Sequence, residues 1–191
     1  MKKEIKKNLK NKGFTLVEVL IGSALGILII TVVYSSFIFG QNVYKGGVLN
    51  AELAQNGRIA LDRIGREIRQ TGQLTTILQP TPPGPPQTET MFEDGHTDTV
   101  QYIRYYLSGT DLKREQRHYY FPSDPNQWVD WNAKDNNGQS ANYTIDDDQV
   151  IAQNLSQINF YGENNLISID ITVSKDGKQI QFRTENFERN L

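Results

Sequence analysis

The chain contains no cysteine, and this absence excludes disulfide bonds, thiolate metal sites and cysteine nucleophiles. It has only two histidines, His96 and His118, and neither a G-x-S-x-G segment nor a Walker-type glycine loop. A hydrolase needs a nucleophile, a base and a group that orients the base. We therefore expect a non-catalytic protein without a cofactor.

The chain also lacks the excess of positive charge that binds phosphate backbones, since its formal net charge is -2. Its lysines are unevenly distributed. Six of them precede Gly13 together with a single glutamate, so the remainder of the chain is net acidic. We therefore expect no nucleic-acid partner.

Charge is missing from a long stretch near the N-terminus, where no Asp, Glu, Lys, Arg or His occurs between Val19 and Phe39. At about 1.5 Å rise per residue, this stretch makes a helix on the order of 30 Å long, which matches the bilayer core. A lone segment in lipid must be helical to satisfy its backbone hydrogen bonds. The lysines before it place the N-terminus in the cytoplasm. We predict a single pass of the inner (cytoplasmic) membrane, with the rest of the chain outside the cytoplasm.

An ordinary secretory signal or an uncleaved single-span anchor would also begin with basic residues and an apolar run. A secretory signal has an apolar region of roughly 7 to 15 residues and an A-x-A-like cleavage site. Here the run is longer and no such site follows it. In addition, Glu18 stands at the start of the run, where a buried carboxylate needs a partner. The uncleaved anchor remains the main alternative.

The segment KGFTLVE, from Lys12 to Glu18, follows a lysine-rich leader and precedes the apolar run. It resembles the class III signal of type IV prepilins and pseudopilins. The resemblance implies that a prepilin peptidase cuts after Gly13 and methylates the new N-terminal Phe14. It also implies that Glu18 pairs with the Phe14 amine of a neighbouring filament subunit. Within one helix, Glu18 could instead serve its own Phe14 amine or the first helical N-H groups. The sequence alone leaves these pairings open.

Residues 48–70 have apolar side chains at three- and four-residue spacings, which predicts an amphipathic helix. Gly40 and the pair Gly46-Gly47 lie between it and the apolar run, and they favour a bend or local melting there, or two helices joined by a turn. Thr71-Gly72 is expected to end the helix. The proline-rich stretch Pro80–Pro86 is expected to form a surface loop or a spacer.

Beyond the prolines, short segments rich in β-branched and aromatic residues predict strands. Two hairpins are expected, with turns at Ser108–Asp111 and Lys175–Lys178. The predicted strands are Thr99–Leu107, Leu112–Phe121, Gln149–Asn154, Ser156–Tyr161, Leu166–Ser174 and Gln179–Thr184. The predicted fold class is α+β, a long N-terminal helix packed on an antiparallel β-sheet domain. The predicted boundaries are residues 1–13 for the leader, 14–40 for the filament-core helix, 41–72 for the amphipathic helix and 73–191 for the globular domain.

Two acidic sets could offer oxygen ligands to calcium: Asp94-x-His96-x-Asp98 and Asp146–Asp148. Neither has the register and glycine of an EF-hand loop, so we predict solvated turns and no metal site. Trp128 and Trp131 lie in a predicted polar loop from Ser123 to Asp148. They are expected to pin that loop onto its own core, with exposed anchors for a partner as the alternative.

Further segments resemble the W-type minor pilins and the J-type minor pseudopilin: Gln55–Asp62, Ile68–Gly72, Val100–Leu107, Leu112–Glu115, Asn154–Tyr161 and Phe187–Asn190. This resemblance implies a minor subunit at or near the tip of a type IV pilus-like filament, where it helps to start assembly. The implied partners are the prepilin peptidase and other major and minor pilins or pseudopilins. The alternatives are a J-like pseudopilin of type II secretion and a surface adhesin module on a pilus.

Overall fold

The computed structural model describes residues 13–80, 85–96, 99–163 and 166–187. Within these ranges, one long helix is followed by eight strands, and the chain divides into two compact units, residues 1–47 and 48–191. The elements are α1 (Leu16–Ile68), β1 (Thr90–Glu93), β2 (Tyr102–Ser108), β3 (Asp111–Phe121), β4 (Asp124–Val129), β5 (Asn142–Ala152), β6 (Leu155–Glu163), β7 (Leu166–Lys175) and β8 (Lys178–Phe187). The predicted leader, residues 1–13, lies outside these ranges except for Gly13.

The first unit contains the N-terminal part of α1. Among the described residues, α1 is the one helix long and apolar enough to cross a membrane. Its helical assignment continues without interruption through Gly40, Gly46 and Gly47. The predicted local melting and the alternative of two helices joined by a turn are therefore wrong. A helix tolerates each such glycine at a cost of about 1 kcal/mol.

The second unit is built around one face of the C-terminal part of α1. Its core joins four buried residues of this helix, Leu53, Ala60, Ile64 and Ile68, to buried residues of both sheets. Two glycines on the same face let the backbone of α1 approach the strands. A Cβ on Gly57 would lie 2.4 Å from the Phe182 ring, and one on Gly65 would lie 2.9 Å from the Asn186 amide. The predicted amphipathic helix is confirmed, and it ends at Ile68, just before the expected Thr71-Gly72 stop.

The strands form two antiparallel sheets, where a single sheet was expected. The first has the order β1-β2-β3-β4, with β5 also paired to β3, and the second has the order β6-β7-β8. The inner face of the second sheet includes Ile158, Phe160, Ile169 and Ile171, all in the core. The predicted α+β class, a long helix with antiparallel sheets, is confirmed.

Both predicted hairpins are present. Residues Ser108 and Asp111 pair across the β2–β3 turn, and Lys175 and Lys178 pair across the β7–β8 turn. In the second turn Asp176 and Gly177 have φ values of 51° and 76°. Positive φ at both central residues is what a type I′ turn requires.

The predicted loop Ser123–Asp148 is the main error in the strand assignment. It contains β4 and the first part of β5, which begins at Asn142 and not at Gln149. The short strand β1 was also missed. The apolar alternation that predicts a strand is absent from β4 and β5, because both strands are mostly exposed. Strand β5 is held in place by its pairing with β3.

Candidate functional site

The expected processing site lies immediately before α1. Gly13, Phe14 and Thr15 have no helical or strand assignment, and the Phe14 side chain is 86% exposed. The helix begins at Leu16. The bond between Gly13 and Phe14 is therefore in non-helical backbone, and it can be extended for a peptidase without unwinding a helical turn.

Glu18 and Thr15 form a reciprocal cap at the start of α1. The Thr15 backbone N-H donates to Glu18 Oε2 at 2.8 Å, and the Thr15 hydroxyl donates to the same oxygen at 2.9 Å. The Glu18 N-H lies 3.3 Å from Thr15 Oγ1. This is the capping-box arrangement, with Thr15 as the N-cap and Glu18 three positions later. Of the roles left open for Glu18, the structure shows the one at the helix N-terminus.

The helix that follows this cap exposes apolar side chains all around the first unit. Leu20, Ile30, Val33 and Phe39 are each more than half exposed. Its hydroxyl groups bond back to carbonyls of the preceding turn, with Ser23 donating to Leu20, Thr31 to Ile27 and Ser35 to Thr31 at 2.8–2.9 Å. Such bonds leave these hydroxyls satisfied in an apolar environment. The surface is therefore suited to lipid or to other apolar helices.

The second unit holds a buried charge cluster around Glu67 of α1. Its carboxylate accepts from the Tyr105 hydroxyl at 2.7 Å and from Arg114 Nε at 3.0 Å to each oxygen. Arg63 Nε lies 2.8 Å from the same carboxylate. Burial, and next the negative charge of Glu67, raises the pKa of Tyr105 well above its usual range. The cluster ties the end of α1 to strands β2 and β3. Sequence reasoning missed it because its members lie far apart along the chain.

The first sheet carries a second set of paired charges, of which Glu115 and Arg117 are buried. Glu115 contacts Arg117 and lies 3.8 Å from Arg104, which also contacts Glu89. Arg104 lies over the Tyr106 ring at 4.5 Å, and Arg117 lies over the Tyr143 ring at 4.3 Å. These arginines therefore pair with carboxylates and aromatic rings of the same unit.

The two histidines each pair with an aspartate. His96 Nδ1 lies 2.8 Å from Asp94, and His118 Nδ1 lies 2.8 Å from Asp146. The His118 ring also stacks on Trp128, with ring centroids 4.4 Å apart. This contact agrees with the expected role of Trp128, which is to hold its segment against the rest of the domain. Trp131 is 38% exposed and donates its backbone N-H to the Tyr102 hydroxyl.

Neither acidic set forms a metal site in the part of the chain that the structure describes, where no group of three or more His, Cys, Asp or Glu is arranged to hold an ion. Asp98 of the first set lies outside that part. The second set does not form a solvated turn as predicted, because it lies within β5. There Asp146 pairs with His118, and Asp148 lies 2.7 Å from Lys113.

Residues 8–34 match the model of the prokaryotic N-terminal methylation motif. The chain carries the class III signal of type IV prepilin-like proteins. The match includes Gly13, Phe14 and Glu18, and it supports a type IV pilin- or pseudopilin-like protein of structural, non-catalytic type. No curated protein and no solved structure matches the chain. The resemblance of the second unit to W-type and J-type subunits stays a prediction.

Proposed function

We propose that this chain is a non-catalytic minor pilin or pseudopilin, which a prepilin peptidase cuts between Gly13 and Phe14 and methylates on Phe14. One observation carries the proposal: the N-terminal methylation motif lies at the start of a helix with an exposed apolar surface. An apolar helix of this length needs lipid before assembly and other apolar helices after it. A filament of packed helices supplies the neighbouring apolar helices that this helix needs after assembly.

In the proposed filament, Glu18 pairs with the methylated Phe14 amine of a neighbouring subunit. The capping box supports this step because it holds the carboxylate at the helix start. Both bonds from Thr15 reach Oε2. An ionised carboxylate has about four lone-pair positions, so Oε1 can accept from a neighbour while Oε2 keeps its bonds. The amine would also supply the positive charge that the cap lacks.

The proposed path begins in the inner membrane with the N-terminus in the cytoplasm, and it ends in an extracytoplasmic filament. We place the subunit at or near the filament tip, where it would help to start assembly with sibling pilins. A J-like role in type II secretion is the rival within the same class, and the identity of the neighbouring genes would separate the two. An adhesin role is favoured by one observation, the exposed Trp131 ring.

Processing is tested by the intact mass of the protein extracted from membranes of cells that contain the peptidase. The expected mass is that of a chain beginning at methylated Phe14. A Gly13→Leu variant should stay uncut, because a bulky residue before the cut obstructs a narrow peptidase site. A wild-type chain that keeps residues 1–13, or full processing of the variant, would refute the proposal.

The role of Glu18 is tested with Glu18→Ala and Glu18→Gln variants. Both should insert in the membrane and be cut, because alanine and glutamine suit lipid better than a carboxylate and the cut lies upstream on the cytoplasmic side. Both should lose most co-purification or crosslinking with sibling pilins, since neither neutralises the amine of a neighbour. Thr15→Val is the matched control, because it weakens the cap but keeps the charge. Wild-type incorporation of both Glu18 variants would exclude the intersubunit pairing.

A further inference from the structure

The second unit contains a cleft of about 240 Å³ beside the last turns of α1, and no step of the proposed assembly uses it. Its charged lining comes from three parts of the unit: the helix, the segment after β1, and β3. These side chains are Arg63, Arg66, Glu67, Asp94, His96 and Arg114. The lining therefore has three guanidinium groups, two carboxylates and one imidazole.

The carboxylates of this arginine cleft are already engaged by groups around it. Glu67 accepts from Arg114, Tyr105 and Arg63, so one negative charge is shared by two arginines. Asp94 Oδ1 accepts from the His96 backbone N-H at 3.0 Å and lies 2.8 Å from His96 Nδ1. The arginines and carboxylates of the lining sum to a formal charge of +1, and the carboxylate of Asp147 approaches Arg114 from outside the cleft.

The three arginines lie at different depths in the cleft. Arg114 is 7% exposed and forms the buried side of the cleft, while Arg63 and Arg66 are exposed at its entrance, three positions apart on α1. Residues at this spacing are neighbours on a helix surface. Arg63 and Arg114 use their Nε groups on Glu67, Arg63 also donates to the Tyr105 hydroxyl, and Arg114 Nη1 lies 3.8 Å from Asp147, outside the cleft. The donors left for a ligand are the Arg66 guanidinium and the terminal nitrogens that Arg63 and Arg114 do not use in these pairs.

We propose that the arginine cleft binds an oxyanion, either a free tetrahedral anion such as phosphate or a carboxylate. Guanidinium groups present planar pairs of N-H donors that match both ligands bidentately. The C-terminal end of α1 disfavours anion binding, because helix C-terminal carbonyls carry partial negative charge. Arg66, in the last turn, offsets that effect. The inference does not depend on the proposed assembly, since a single subunit contains the whole lining.

The test uses the full-length chain in detergent micelles, titrated with inorganic phosphate at constant ionic strength. Arginine Nε-Hε signals are followed by NMR. Saturable shifts are expected for the wild type. Arg66→Gln should weaken binding by about tenfold, as expected for the loss of one charge-assisted contact. Arg66→Lys should bind between the two, because it keeps the charge without the planar donors.

Arg58→Gln is the matched control, since it removes the same charge from an exposed position of the same helix outside the cleft. It should leave the affinity within about twofold of wild type. A parallel titration with acetate separates the two ligand sources: tighter phosphate binding assigns the cleft to a free tetrahedral anion, and tighter acetate binding assigns it to a carboxylate. The proposal is overturned if neither anion gives a saturable shift, or if Arg58→Gln weakens binding as much as Arg66→Gln does.

Discussion

Replacing Glu67 by glutamine should destabilise the second unit more than any exposed charge substitution on the same helix. The carboxylate is 7% exposed and neutralises Arg114, which is equally buried. Removing it leaves the Arg114 cation without its main partner in the interior. Breaking a buried pair in this way typically costs 3–5 kcal/mol. Because a glutamine oxygen can still accept from the Tyr105 hydroxyl, we expect a loss near the lower end, about 3 kcal/mol.

The assay is thermal or chemical unfolding of the full-length chain in micelles, followed by near-ultraviolet circular dichroism of the second unit. At roughly 2–4 °C per kcal/mol, the midpoint should fall by about 10 °C. Glu52→Gln is the matched control, because Glu52 pairs with Lys175 where both side chains are more than a third exposed. Such a pair is worth about 1 kcal/mol or less. If Glu67→Gln lowers the midpoint no more than Glu52→Gln does, the reasoning from burial is wrong.

Two further predictions concern the same unit. Burial raises the pKa of Tyr102 to about 12 in the folded chain; the hydrogen bond from the Trp131 N-H opposes this rise, and the Asp130 and Glu93 charges add to it. The unfolded state therefore loses this proton first, so the free energy of unfolding should fall as pH rises from about 10 towards 12. Tyr102→Phe should make that fall shallower. An identical pH profile for the variant would refute the assignment. Gly57→Ala places a Cβ 2.4 Å from the Phe182 ring and should cost about 1–3 kcal/mol in a denaturant titration. Gly47→Ala meets nothing within 4 Å and removes a glycine from the helix interior, so it should not destabilise the protein. Equal effects of the two alanines would contradict the close packing.

The elements that sequence reasoning predicted correctly are those with a local pattern. The apolar spacing in residues 48–70 predicted the buried face of α1, and Asp176-Gly177 predicted the β7–β8 turn. The N-terminal motif was found for the same reason, since its residues are consecutive. The cap residue Thr15 was missed, although the sequence contains its signal. A threonine three residues before a glutamate at a helix start is typical of a capping box.

The features that were missed depend on contacts between distant segments. Strand β5 carries three consecutive aspartates, which favour a turn on composition alone. It is nevertheless a strand because His118 and Lys113 of β3 pair with two of these carboxylates across the sheet. The Glu67 cluster and the arginine cleft likewise join α1 to β3 and cannot be located from spacing along the chain. Interior glycines also misled the reasoning at Gly46-Gly47, where the helix continues.

The cap at Glu18 changes how its position in the apolar segment is explained. A capping box gives this glutamate a role within a single helix, so its presence alone does not require a partner subunit. The cap satisfies hydrogen bonds at the helix start, but the bonds come from an amide and a hydroxyl, both neutral. Among the described residues, no cationic side chain pairs with this carboxylate, and its negative charge is costly at the edge of an apolar environment. Under the proposed function, cleavage after Gly13 creates the missing cation on Phe14. The cap would then position the carboxylate, and the amine of a neighbour would neutralise it, so that processing itself makes assembly favourable.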